Sequence, residues 1–241
     1  VNDCPYSVYN KKTALAGNAN HPEGYNRFDA HGENPDNLAV SRLKCVALSS
    51  QAITVTTEKY EHVKAALETF QKVDGIWQRA FQPMPALIGR NGFTYNKVEG
   101  DGKSPIGTYT LGICFGRFQN PGTLMPYRQT TQNDYWIDDT DSVYYNSWQV
   151  GPAFGRWKSA EGLSPTDGTY YDYAIVINYN TVDRIPGRGS AIFLHIWDGP
   201  DVPTLGCIAI EYTDLLKVIK WLDPCKKPII IQGPVSEVMK W

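Results

Sequence analysis

"YEHVKAALETFQKVDGIW" (60–77) holds the choice between a chain that mixes helices with strands and one that is mainly β. Val63, Leu67 and Phe70 fall at helical spacing, but Asp74-Gly75 follows them, and Asp-Gly tolerates the two positive φ angles of a tight hairpin turn. Giving the turn more weight than the period makes the stretch strand, turn, strand. The neighbouring sequence agrees. "QAITVTTE" (51–58) alternates and is rich in β-branched residues, while "DYAIVINYN" (172–180), "SAIFLHIW" (190–197) and "KPIIIQG" (227–233) are short apolar runs bounded by turn residues. The clearest helical stretch is "EYTDLLKVIKWLDP" (211–224), with Thr213 as the expected cap, Leu215, Ile219 and Leu222 as the apolar stripe, and Pro224 as the stop. Gly and Pro recur every ten to fifteen residues, which suits a β-sandwich or barrel with long connections.

The chain has 241 residues, 42% hydrophobic and 20% charged, enough to bury one large core and too apolar to be disordered. A net charge of −2 and a pI near 6.1, with no Lys/Arg patch, argue against nucleic acid as a partner. No apolar run is long enough to span a bilayer, and "VNDCPYSVYNKK" at the start lacks the layout of a signal peptide, so an exported protein is expected here in mature form, as a monomer. The 15 Tyr and 7 Trp suit strands, and they suit grooves that hold sugars or peptides. Trp136 and Trp197 are the candidates for that second use.

Residues 1–48 form an irregular, Asn- and Gly-rich extension ahead of a main domain over 49–241. His21 and His31, within it, read as solvated loop residues. Five cysteines, none in a CxxC pair, exclude zinc-ribbon and thioredoxin patterns. Two disulfides would leave one free thiol. The expected pairs are Cys4 with Cys45 and Cys114 with Cys225, the first pinning the extension, with Cys207 reduced. A reduced, cytosolic set of five is the alternative.

Three motifs fail on inspection. "EGDGKSPIG" (99–107) ends like a phosphate-binding loop, but Lys97 stands where its first Gly belongs and strands flank it. "DDTDS" (138–142) lacks the Gly and Glu of a calcium loop and reads as a solvated acidic turn. Zinc at His195 and Cys207, recruiting Asp198 or Asp201, lacks three well-spaced ligands, so neither metal nor cofactor is expected.

"AIFLHIWDGPDVPTLGCIAI" (191–210) places His195 at the end of one apolar run and Cys207 at the start of the next, with eleven residues between them. A thiol attacks a carbonyl as thiolate, and an imidazole nearby takes its proton. Gly206 lets backbone approach a substrate, amides around Gly206 and Cys207 can meet an oxyanion, and the Thr204 hydroxyl can brace the loop. The residues alone leave two readings open: a buried Cys beside a satisfied strand-end His, or a nucleophile and its base.

"FLHIW" followed by "PTLGCIAI" resembles the signature of the L,D-transpeptidase catalytic domain (YkuD) family, as do "LIGRNGF" (87–93), "VEGDGKSPIGTYTLG" (98–112), "YWIDDTDSVYYNSW" (135–148), "AIVINYN" (174–180) and "PGRGSAIFLH" (186–195). The resemblance covers about residues 50–233. It implies a mainly β, mixed β-sandwich with one or two short helices. It also implies an exported, cell-wall-associated enzyme in which Cys207 attacks peptidoglycan stem peptides and forms a thioester, with His195 as base and then acid. Two positions depart from the commoner pattern. Leu205 replaces a His before Gly206, and Ala209 replaces an Arg or Asn, so a substrate carboxylate is expected to meet Arg90, Arg184 or Arg188 instead. Resolution of the thioester by an amine makes a transpeptidase, and by water an L,D-carboxypeptidase or wall amidase. A wall-binding β-domain without catalysis is the rival outside enzymology.

Overall fold

The computed structural model describes residues 39–241, so His21, His31 and Cys4 lie outside it. In chain order its elements are β1 (Gln51–Thr57), β2 (Lys64–Val73), β3 (Ile76–Leu87), β4 (Phe93–Thr94), β5 (Ser104–Pro105), β6 (Gly107–Gly116), β7 (Tyr127–Gln129), β8 (Asp134–Ile137), β9 (Trp148–Val150), β10 (Ala160–Gly162), β11 (Ala174–Ile177), β12 (Phe193–Ile196), β13 (Ile208–Ile210), α1 (Tyr212–Trp221), β14 (Ile229–Pro234) and α2 (Val235–Val238). The fold is mainly β with two short helices. The turn wins over the helical period at residues 60–77: β2 and β3 form an antiparallel hairpin, and Asp74 and Gly75 adopt φ of 51° and 82° at its tip.

The large sheet runs β11-β12-β13-β3-β2-β1-β14-β6-β7, and β11 also pairs with β6. That extra pairing closes eight of the strands into a ring and leaves β7 outside it, which removes most of the open edges a flat sheet would present. The ring is mixed: β1 runs parallel to β14 and β12 parallel to β13, while β2–β3, β3–β13 and β6–β11 are antiparallel. A separate three-stranded sheet, β10-β8-β9, and the small β4-β5 pair complete the structure.

Strand alternation sorts the apolar residues into layers. Ile53, Val55, Leu67, Ile175, Ile177, Leu194, Ile196, Ile208 and Ile210 belong to the central core, which Leu215, Val218, Ile219 and Leu222 of the α1 region also enter. Ala52, Phe70, Trp77, Ile229 and Ile231 point the other way and meet Val40, Leu43 and Val46, so apolar packing docks residues 39–48 on the main domain. Phe115, Trp136, Leu163, Tyr171, Ala174, Val176 and Phe193 make a third cluster. The cap of α1 is Glu211 rather than Thr213: its carboxylate accepts from the amides of Thr213 and Asp214. A carboxylate complements the N-terminal end of the helix dipole better than a hydroxyl does, and placing Glu211 there starts the helix two residues earlier than a Thr213 cap would.

The expected cysteine pairs do not form. Cys45, Cys114 and Cys207 are all free thiols. Cys114 is fully buried, facing the central core from β6, where burial pushes its thiol up to about 12. Cys225 is the one described cysteine that is not a free thiol.

Candidate functional site

Parity along two strands builds the site. In β12, Leu194 and Ile196 face the central core, so Phe193 and His195 face the opposite side. In β13, Ile208 and Ile210 face that core, so Cys207, just before the strand, falls on the same side as His195. The parallel register sets His195 beside Ala209, two residues beyond Cys207. Cys207 is thus offset along the sheet from the residue directly beside His195. His195 is therefore no core residue, although it sits in a buried strand.

A cavity of about 570 Å³ opens on this face. His195, Cys207, Gly206, Thr204 and Leu205 line it, together with Lys97 and Glu99 from the segment after β4, Asp138 and Glu161 from the three-stranded sheet, and Tyr170 and Tyr171 before β11. The Cys207 thiol is half-buried. Its Sγ donates to Ala191 O at 3.2 Å and accepts from Phe193 N at 3.3 Å. Burial pushes the thiol up to about 12, against a smaller opposing pull from the Phe193 amide and from Lys97. Burial also holds the His195 imidazole below 6.5, partly offset by its bond to Ile196 O and by Asp198. Both side chains therefore rest neutral. His195 Nδ1 lies 2.7 Å from Ile196 O, a bond that only an Nδ1–H can make, so Nε2 carries the lone pair. No hydrogen bond joins the two side chains. The Tyr171 ring meets the imidazole edge-on with centroids 5.6 Å apart, and its hydroxyl bonds the Glu161 carboxyl.

The backbone carrying Cys207 is held from two sides. Thr204 Oγ1 donates to Cys207 O at 2.7 Å and accepts from Gly206 N at 3.0 Å, so the Gly206 amide expected at an oxyanion is already bonded. Thr204 itself is anchored by its amide to Ile88 O and by its carbonyl to Arg90 N. From the other side, Ser104 Oγ donates to Gly206 O at 2.7 Å and accepts from Gly89 N at 2.9 Å. Gly206 sits at φ +148°, and a β-carbon there would come 3.0 Å from Lys103 O.

The expected substrate-binding residues do not reach the cavity. Arg90, Arg184 and Arg188 are exposed and none of them lines it. Trp136 is 7% exposed, bonds Asn146 through its indole N–H and packs on Phe193 beneath the site, while Trp197 is half-buried and outside the lining. The cation at the wall is Lys97. Its side chain is 3% exposed, and its ammonium bonds Asp101 Oδ1 at 2.6 Å and Val98 O at 3.0 Å, leaving one of its three N–H groups unspent. A lysine four residues before an aspartate in a Gly-rich loop was the available sequence signal. Glu161 and Tyr171 carried none, because long-range pairing brings them in. The acidic turn is less solvated than its composition suggests: Asp139 is buried and accepts from the amides of Asp141 and Lys158. Among the described residues no group of His, Cys, Asp and Glu is arranged to hold a metal.

A family profile for the L,D-transpeptidase catalytic domain (YkuD) matches residues 73–231, from the end of β2 into β14. No curated protein matches the chain. Among solved structures, the helical cell shape determining protein Pgp2 from Campylobacter jejuni is similar over 82% of this chain, at 17% identity and a TM-score of 0.42, and the chain spans 55% of that protein's length. With about two thirds of its residues inside the profile, including every strand of the cavity face, the chain belongs to the L,D-transpeptidase catalytic domain (YkuD) family.

Proposed function

We propose that this domain is a cysteine-dependent L,D-transpeptidase that acts on peptidoglycan stem peptides outside the cytoplasm, with Cys207 as nucleophile and His195 as base. The observation that carries the reading is the placement of both side chains on one face of adjacent parallel strands, in a single cavity, with the imidazole lone pair on Nε2. Because both groups rest neutral, the thiol gives its proton to Nε2 as Sγ attacks, not before. Attack on the carbonyl that precedes a terminal D-residue forms a tetrahedral oxyanion. With the Gly206 amide engaged by Thr204, that charge falls to the Cys207 amide. The imidazolium then protonates the leaving amine and a thioester remains on Cys207. His195 next deprotonates the incoming amine of a second stem, whose attack releases a cross-linked product and restores the thiol. Water in the same position yields a shortened stem instead.

Lys97 takes the substrate-carboxylate role that the exposed arginines cannot fill, through its unspent N–H. Thr204 and Ser104 are positioning residues that fix the backbone of the nucleophile.

The test is intact mass after exposure to a carbapenem, with peptide mapping, followed by product masses from a disaccharide tetrapeptide. A single adduct on Cys207, absent in Cys207→Ala, is expected, and cross-linked dimers among the products. An adduct elsewhere, or none, defeats the mechanism, and bare tripeptides alone turn the assignment to a carboxypeptidase.

A further inference from the structure

We infer that Asn146 is a positioning residue for the nucleophile: its side-chain oxygen holds Ala191 in the left-handed conformation, from which Ala191 and Phe193 grip the Cys207 sulfur between a carbonyl and an amide. This rests on the function proposed above and adds to it the residue that sets the direction of the thiol. Cys207 Sγ donates to Ala191 O at 3.2 Å and accepts from Phe193 N at 3.3 Å, both in the stretch that enters β12. Ala191 makes its contact from φ +53°, where a β-carbon crowds the following carbonyl oxygen. Moving Ala191 back to the extended region would turn that carbonyl, so the grip on the sulfur depends on a conformation that alanine avoids when nothing holds it.

Asn146 supplies the hold. It is buried, and every hydrogen-bonding position of its amide is used: Oδ1 accepts from Ala191 N at 3.2 Å and from Trp136 Nε1 at 2.7 Å, while Nδ2 donates to Tyr179 O at 3.1 Å and to Asn180 O at 2.6 Å. An amide with all four bonds made has one orientation, which makes it a fixed reference point for the Ala191 N–H. The same residue reaches the other side of the sulfur through Trp136, whose ring packs on Phe193 with centroids 5.3 Å apart. Asn146 and Asn180 also have positive φ, of 51° and 53°, but asparagine takes that conformation readily and Ala191 does not. When Sγ gives its proton to His195, the bond to Ala191 O is lost and the Phe193 amide stays to meet the charge developing on sulfur. A sulfur held from both sides begins that transfer from one position.

The experiment follows the rate of carbapenem acylation by intact mass, together with Tm, in wild type, Asn146→Ala and the double variant Asn146→Ala with Ala191→Gly. Asn146→Ala releases Ala191 and is expected to slow acylation by about tenfold, below the hundredfold that a full ångström of misplacement brings. It is also expected to lower Tm, because the bonds to Trp136, Tyr179 and Asn180 go with it. Glycine takes positive φ without being held, so the double variant is expected to return to within about threefold of the wild-type rate while most of the loss in Tm remains. A merely structural Asn146 loses rate and Tm together, and the glycine does not bring the rate back. If Asn146→Ala does not fold, Asn146→Ser, which leaves a smaller polar group in the same space, carries the same comparison with and without Ala191→Gly. An unchanged rate in the single variant overturns the inference, as does a slowed rate that the glycine fails to restore. With either of those results, a wild-type adduct that maps to Cys207 leaves the proposed chemistry standing, whereas no adduct on Cys207 in wild type sinks both.

Discussion

Replacing Ser104 by Ala removes a single oxygen, 102 residues away from Gly206 in the chain, and is expected to weaken both the fold and the nucleophile. Ser104 is completely buried. Its hydroxyl accepts from Gly89 N at 2.9 Å and donates to Gly206 O at 2.7 Å, with a longer contact of 3.3 Å to Cys207 O. Alanine leaves the buried Gly89 N–H and the Gly206 carbonyl without this partner. Each orphaned buried group costs about 1–3 kcal/mol, and some relaxation brings the sum to about 2–3 kcal/mol. For a domain of this size that is a fall in Tm of roughly 4–12 °C by calorimetry. The loop carrying Cys207 loses one of its two braces, so carbapenem acylation, followed by intact mass, slows by about tenfold, less than the hundredfold that a full ångström of misplacement brings. A Tm within about 2 °C of wild type, with unchanged acylation, would refute the reasoning, because it would mean that the Ser104 brace is not needed to hold the backbone at Cys207.

Three further predictions concern titration and turn chemistry. With the thiol pushed up to about 12 and the imidazole held below 6.5, acylation depends on neutral His195. The rate should rise with pH below 6.5 and stay flat from about pH 7 to 9, and a second rise in that window would indicate a thiol that ionises on its own. The same shift sets a stability trend. Below 6.5 the unfolded chain takes up the proton more readily than the buried ring does, so the His195 contribution is lost as pH falls. At the β2–β3 hairpin tip, Gly75→Ala meets open space but keeps φ at +82°, so a loss of about 1–2 kcal/mol is expected from backbone strain alone, and a Gly75→Ala Tm equal to wild type would contradict the turn assignment.

The fold was legible where local chemistry decided it. Asp74-Gly75 outweighed the helical spacing of Val63, Leu67 and Phe70, and the structure explains the false period: in a strand, residues three apart face opposite sides, so Leu67 and Phe70 enter different cores. The pair at His195 and Cys207 was legible because each ends or begins an apolar run. What makes them neighbours, the parallel pairing of β12 with β13, is a property of the whole ring. Arg90, Arg184 and Arg188, expected to meet a substrate carboxylate, lie exposed and outside the cavity lining, and the cation that packing places at the wall is Lys97. The expected Cys114–Cys225 pair does not form, and Cys114 faces the core by strand parity, which cysteine counting does not register; Cys45 is likewise a free thiol.

Parallel neighbours cannot be joined by a tight turn, because the chain must leave the end of one strand and travel back to the start of the next, usually over a dozen residues or more. Between β12 and β13 this return takes only the stretch 197–207, with no helix inside it, and it is stitched to residues 88–90 through Thr204. The return path is therefore the rim of the cavity: the same short span that satisfies the topology also delivers Pro203, Leu205 and Cys207 to it. Trimming this loop to open the cavity would pull β13 out of register before it widened the entrance, so engineers seeking larger acceptors will have to redesign the opposite bank, where β8–β10 form a sheet of their own that meets the ring through packing such as Trp136 on Phe193.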